Sequence, residues 1–179
     1  VILDVGCYDG RFLSQLPSEL IRQGVDIDAL AIMRGLARDP ALELVHSAFD
    51  KFSLSRRPEV ITMFHVLEHL PDPIAVLRRL HEVAADSVRL IIEVPILEGG
   101  QTNDINGFFS VQHITHFSRS SLLNTLQVAG WQVVEGAKME GYNGYRVVAT
   151  KTAPQPAFAG STADVGALQE VLASWYQAQ

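Results

Sequence analysis

Residues 1–13 read VILDVGCYDGRFL, and the turn inside that stretch decides the fold. Val1–Val5 is an apolar, β-branched run suited to a strand. It breaks at Gly6-Cys7-Tyr8-Asp9-Gly10, and Arg11-Phe12-Leu13 begins a helical pattern. A strand, a glycine turn and a helix N-terminus together present backbone N–H groups to an anion or a nucleotide.

Beyond the turn the chain alternates strand and helix. Strands are expected at Ile21–Ile27, Leu42–His46, Val60–Phe64 and Val88–Val94. A helix is expected over Gly10–Leu20, with Pro17 limiting its regularity. Another is expected over Asp28–Arg38, carrying Leu30, Met33 and Leu36 or Ala37 at helical spacing. Pro71-Asp72-Pro73 opens a third, with Asp72 as N-cap, Pro73 in its first position and Ile74, Leu77, Leu80 and Ala84 as its apolar face. The segment from Pro95 to Phe117 is long, rich in Gly, Asn and Asp, and contains Phe108 and Phe109; such loops are usually functional or disordered. Ser118 then caps a helix bearing Leu122, Leu126 and Ala129 and ending at Gly130. Trp131–Met139 and Tyr145–Lys151 pair as an antiparallel hairpin around Gly141–Gly144. Repeated strand–helix units predict an α/β fold: a mostly parallel seven-stranded sheet with an antiparallel C-terminal hairpin and helices on both faces. The domain is expected over residues 1–151, a linker over 152–163 and an amphipathic helix over 164–179 with Val165, Leu168, Leu172 and Trp175 in register. That helix suits docking on this domain or on a second copy, giving a homodimer.

Composition bounds the function. The 179 residues are 47% hydrophobic and 19% charged, with a formal net charge of -6. This acidity argues against a protein that tracks nucleic-acid phosphates. No run reaches the roughly 20 apolar residues of a membrane span, and the acidic, Lys-poor terminal helix is a poor membrane binder. Cys7 is the single cysteine, so an internal disulfide is impossible and a cytoplasmic location is expected. The chain starts at Val1 inside a core strand, as a piece of a longer protein would.

The glycine turn narrows the ligand. A dinucleotide fingerprint, G-x-G-x-x-G, would need glycines where Tyr8 and Arg11 stand, and no P-loop motif is present. What remains is Asp4-x-Gly6-x-x-x-Gly10, followed by Asp26 at the end of the second strand, where a carboxylate accepts both hydroxyls of a ribose. A ribose reader without a pyrophosphate cradle suits a nucleoside with an amino-acid tail, and S-adenosylmethionine has that shape. The alternative is a turn serving only tight strand–helix packing.

The stretches VILDVGCYDGRFL, GVDID, SAFDKF, FHVLEHLPDP, LIIEVP and HITHFSRSSLLNTLQVAGWQVV follow one another in an order that resembles class I S-adenosylmethionine-dependent methyltransferases, closest to their type 11/12/23 small-molecule branch. The resemblance covers about residues 1–150 and implies a Rossmann-like fold. It implies that Asp4, Gly6 and Gly10 line the methionine end of the cofactor, with Cys7 and Tyr8 between them in the turn. Asp26 would bind the ribose, Ile27, Ala48 and Phe49 would flank the adenine, and His65 and Leu67 would stand beside the sulfonium. Tyr8 departs from the family, which usually has a third glycine there. Helices that usually precede the first strand and help to cover the site are not in this sequence.

Methyl transfer requires alignment of donor and acceptor, and a base where the acceptor hydroxyl is not acidic. Three histidines qualify: His69 after the fourth strand, and His113 and His116 in FFSVQHITHFS, a segment that borders the acceptor pocket in relatives acting on nucleotide sugars. His113 is the preferred base. The competing reading has Glu68 and His69 fixing the start of the next helix, and the aromatic and imidazole groups anchoring the loop. A metal bound by His113, His116 and Asp104 lacks a supporting ligand cluster, so no metal is expected. His46, His81 and Cys7 read as structural, and Glu93 as a carboxylate bonded locally at a sheet terminus. The sequence therefore predicts a methyltransferase acting on a small polar acceptor, a sugar or glycan precursor, at oxygen before carbon. A methyltransferase-fold scaffold without turnover is the alternative.

Overall fold

The computed structural model describes residues 1–49, 51–99, 109–156 and 162–177. Asp50, Asp104 and Phe108, and the side chains of Leu168 and Trp175, lie outside what is described. Seven strands form one sheet: β1 (Ile2–Val5), β2 (Arg22–Asp26), β3 (Glu43–His46), β4 (Val60–Phe64), β5 (Arg89–Val94), β6 (Trp131–Lys138) and β7 (Tyr145–Lys151). Their order is β3-β2-β1-β4-β5-β7-β6; β1 to β5 run parallel, while β7 is antiparallel to both β5 and β6. Reversal of strand order on either side of β1 opens a crevice at the carboxyl ends of β1 and β4, where doubly wound sheets bind ligands.

Among the described residues the helices are α1 (Arg11–Ser14), α2 (Ala29–Arg38), α3 (Pro73–Val83) and α4 (Arg119–Val128), which lie between strands, and α5 (Thr162–Gln177), which follows β7. Local signals place their starts. Asp28 and Asp72 accept backbone N–H groups from Ala31 and Ala75, each at 2.9 Å, and Ser118 with Ser121 closes a capping box. The main core fills one side of the sheet, from Leu3, Ile61 and Ile92 through Leu77 and Leu80 to Trp131, whose indole donates to the Leu77 carbonyl at 3.0 Å. A smaller cluster of Ile2, Cys7, Leu13, Ile32, Leu42 and Leu44 lies with α2. Helix α5 lies against the Leu97–Gly99 turn of its own chain.

Two expectations are corrected. Helix α1 is one turn rather than Gly10–Leu20, because Pro17 has no N–H to continue the ladder and its ring clashes with the carbonyl of Leu13. On α2 the buried face is Ala31, Ile32 and Gly35, while Leu30 and Met33 are 67% and 66% exposed. The helix runs so close to the glycine turn that a Cβ on Gly35 would stand 2.5 Å from the Asp9 carbonyl oxygen. Small residues therefore face the sheet there, and the bulky ones turn outward.

Candidate functional site

The site is built on the loops that leave β1, β2, β4 and β5 at one edge of the sheet. The first loop must turn sharply within reach of the β4 exit. Gly6 has φ +77°, and a Cβ there would overlap the Val66 side chain. Tyr8 also has positive φ, 50°, so it occupies the left-handed conformation that a glycine would adopt at no steric cost. Its ring leaves the turn toward α2, where its hydroxyl accepts from Arg34 at 3.2 Å with the guanidinium 5.9 Å from the ring centroid. Asp9 ties the turn to α2 by a 2.7 Å pair with Arg38, and that hydrogen bond holds its carboxyl below the usual range.

Asp26 ends β2 beside this turn. Its Oδ2 accepts the Tyr8 N–H and its Oδ1 the Asp28 N–H, both at 2.8 Å, so the carboxylate is held in one orientation. Asp4, one residue before the end of β1, is buried nearby and accepts the Thr62 hydroxyl at 2.7 Å. Burial pushes the Asp4 carboxyl up to about 6; the Thr62 hydrogen bond opposes this and the Asp26 charge adds to it. Beyond Asp26, a cavity of about 430 Å³ is lined by Ile27, Ala48, Phe49, His69, Leu70, Ala75 and Val76. Its walls are mainly apolar, as a flat heterocycle requires.

The β4 exit carries a charged network. His65, with φ 54°, places Nε2 3.0 Å from Glu93 Oε1 and Nδ1 3.5 Å from Glu68 Oε1. Glu68, then Glu93, raise the imidazole pKa above its ordinary value against partial burial. Burial works to raise the Glu93 pKa, but hydrogen bonds from Tyr142 (2.7 Å) and Arg146 (2.8 Å), with the Arg146 charge, leave it below the usual range. Glu93 thus joins β5 to the hairpin through Tyr142 at its tip and Arg146 on β7.

The three candidate histidines converge. His69 and His113 stack edge to face with ring centroids 4.8 Å apart, and His116 lies 6.4 Å from His113 and against Phe109 at 5.0 Å. His69 Nδ1 lies 2.8 Å from the Gln112 carbonyl oxygen, so that nitrogen donates and carries the proton. His46 stands apart, exposed at the end of β3, and His81 packs on Trp131 while bonding the Thr152 carbonyl.

Two of the expected ligand contacts have their side chains in the core. The Cys7 side chain points into the smaller core against Gly24, where burial pushes its thiol far up, so only its backbone borders the turn. Leu67 is wholly buried in the main core beneath the site. Glu68 was missed as a participant: it is buried under the histidines, and its place beside His69 in sequence hid its approach to His113.

The family described as "Methyltransferase domain" matches residues 1–136. Among curated proteins none matches. Similar solved structures include a chain of the complex between the Haloferax volcanii Trm112 methyltransferase activator and a methyltransferase, with a TM-score of 0.69, 14% identity, and 86% of this chain and 82% of that one covered. An S-adenosylmethionine-dependent methyltransferase from Clostridium acetobutylicum aligns with a TM-score of 0.69 and 8% identity over 85% of this chain and 84% of that one. A TehB-like S-adenosylmethionine-dependent methyltransferase from Corynebacterium glutamicum gives 0.64 and 18% over 84% and 79%. At these identities the likeness is one of fold.

Proposed function

Because the chain belongs to the methyltransferase domain family, we propose that it binds S-adenosylmethionine and methylates a small polar acceptor, a sugar or related glycan precursor, at oxygen. Asp26 carries this reading. A carboxylate fixed by two backbone amides at the end of β2, beside an apolar cavity at Ile27, Ala48 and Phe49, suits a ribose and its adenine. The residues fit the cofactor at its other end too. Gly6 lets the turn lie directly against Val66, where a Cβ would overlap it, so its backbone stays at the strand ends, and the buried Asp4 offers a carboxylate to an ammonium group.

When bound, S-adenosylmethionine supplies a methyl group activated by its sulfonium. The protein's own task is to align, to exclude water and to move one proton. The turn 6–10, Asp4 and Asp26 would hold the donor. The histidine cluster over the β4 exit would face the acceptor. In it His69 keeps a lone pair on Nε2, since Nδ1 donates to Gln112, and His113 borders it as the preferred base. The segment 109–117 that carries His113 and His116 exposes Phe109, Val111 and Ile114, apolar surface suited to covering an acceptor.

The test is calorimetric titration of the chain with S-adenosylmethionine, S-adenosylhomocysteine and NAD in parallel. Micromolar binding of the first two without NAD is expected, followed by methyl transfer in a screen of sugar and nucleotide-sugar acceptors. Failure to bind either nucleoside overturns the reading. Binding with no transfer to any hydroxyl acceptor overturns its catalytic half.

A further inference from the structure

We propose that Glu68, His69 and His113 form a binding site for one divalent transition-metal ion, with Zn²⁺ as the best-matched ion. Their donor atoms lie within 4.8 Å of one another, contributed by the Leu67–His69 turn and by the loop that crosses it.

Glu68 is the feature that demands a cation. Its side chain is 1% exposed, and neither carboxylate oxygen has a hydrogen-bond partner. A carboxylate withdrawn from water without donors is strongly unfavourable unless a positive charge meets it. His65 is the nearest charge when protonated, but its Nδ1 stays 3.5 Å from Glu68 Oε1 without hydrogen-bond geometry and its Nε2 is engaged with Glu93 at 3.0 Å, so it offsets the buried carboxylate only in part.

His69 supplies the second, independent sign. Its Nδ1 proton goes to the Gln112 carbonyl, which leaves the Nε2 lone pair turned toward Glu68 Oε1, 4.0 Å away. A backbone carbonyl on the far ring nitrogen is how metal-ligating imidazoles are commonly oriented. An imidazole lone pair and a carboxylate oxygen facing one another at 4.0 Å repel without a cation between them. His113 completes the set from the loop, edge-on to His69.

Two imidazoles and one carboxylate suit Zn²⁺ and its first-row neighbours; Mg²⁺ and Ca²⁺ prefer all-oxygen sets. Bonds of about 2.1 Å in a tetrahedral site bring ligand atoms to about 3.4 Å apart, closer than they stand here. The loop bearing His113 is the element able to close that distance, since Val111 beside it is 99% exposed and packs on nothing. The metal site stands on these contacts alone; where the ion is bound, its ligands His69 and His113 cannot serve as the base named above, and the ion would instead polarise an acceptor hydroxyl, a role that rests on the methyltransferase reading.

The test titrates the full chain, prepared without an affinity tag and stripped with a chelator, with Zn²⁺ alone. One equivalent is expected to bind with micromolar or tighter affinity. Glu68→Gln and His113→Ala should each weaken it at least tenfold. His46→Ala, which removes an exposed histidine elsewhere, should leave it unchanged. Glu68→Gln keeps the side-chain shape and removes a buried charge, so its fold, checked by circular dichroism, should persist. Co²⁺ should give a visible d–d spectrum that disappears in the same two variants. No binding at millimolar Zn²⁺, or binding equally tight in Glu68→Gln and His113→Ala, overturns the proposal. S-adenosylmethionine affinity is measured separately: its retention without Zn²⁺ binding would refute the metal site alone, and the reverse result the methyltransferase reading alone.

Discussion

Asp4 is buried near the carboxyl end of β1 with one hydrogen bond, from Thr62, and its pKa lies at about 6 against an ordinary 3.8. The native state therefore holds a proton that the unfolded chain has released over that window. The sign follows: stability falls as pH rises from about 4 to about 6 and stays lower above it. A rise of some two units, at about 1.4 kcal/mol each, puts the penalty at neutral pH near 3 kcal/mol. Asp4→Asn removes the charge and keeps an oxygen to accept the Thr62 hydroxyl. Its new amide donors return about 1 kcal/mol of that gain where they find no partner. The variant should be about 2 kcal/mol more stable than the wild type at neutral pH, or roughly 4–8 °C in Tm. The difference should shrink as pH falls through the window and reverse by about 1 kcal/mol below it, where Asp4 is protonated and only the amide cost remains. Urea unfolding across acidic to neutral pH reads it directly. The same substitution should weaken S-adenosylmethionine, and wild-type affinity should rise with pH through about 6, because the cofactor's ammonium favours ionised Asp4. A variant no more stable at neutral pH, with a gap that ignores pH, would refute desolvation as the cause.

Three further outcomes are expected. Asp26→Ala leaves the Tyr8 and Asp28 amides without their acceptor, so it should lower stability by about 2–4 kcal/mol and abolish S-adenosylmethionine binding in calorimetry; unchanged affinity would remove the ribose assignment. Tyr8→Gly relieves a left-handed side chain worth about 1–2 kcal/mol and loses about 0.5–1 kcal/mol to unfolded-state entropy, so melting should shift little. Cofactor affinity should also hold, since the ring lies toward Arg34; a large gain would mean that Tyr8 crowds the ligand. His113→Ala should spare cofactor binding and slow transfer at least tenfold in a turnover assay with the acceptor found by screening; full activity would exclude His113 from the chemistry.

Much of the fold was legible because its causes are local. The apolar runs of β1, β4 and β5 mark strands covered on both faces, and Asp28, Asp72 and Ser118 cap their helices from adjacent positions. The glycine turn and the acidic residue after it were readable from backbone requirements and spacing alone. Helix α2 was misread because hydropathy ranks Leu30 and Met33 above Ala31 and Gly35. The distance between helix and turn, which favours the smaller pair, appears only when both are packed on the sheet. Cys7 and Leu67 sit among residues that border the cleft, yet their side chains turn into the core, a direction set by how each turn packs on the sheet.

The sequence by itself determined the alternation of strands and helices, the turn after β1 and the histidines available to the site, because each depends on residues near one another in the chain. Only the tertiary structure decided which charges meet. Parallel strands end at a common edge, so the β4 turn brings Glu68 and His69 under a loop that follows β5, and His113 arrives from far along the chain. Nothing in local spacing encodes that meeting. It is the packing of those two segments at one end of the sheet that leaves a buried carboxylate facing two imidazoles.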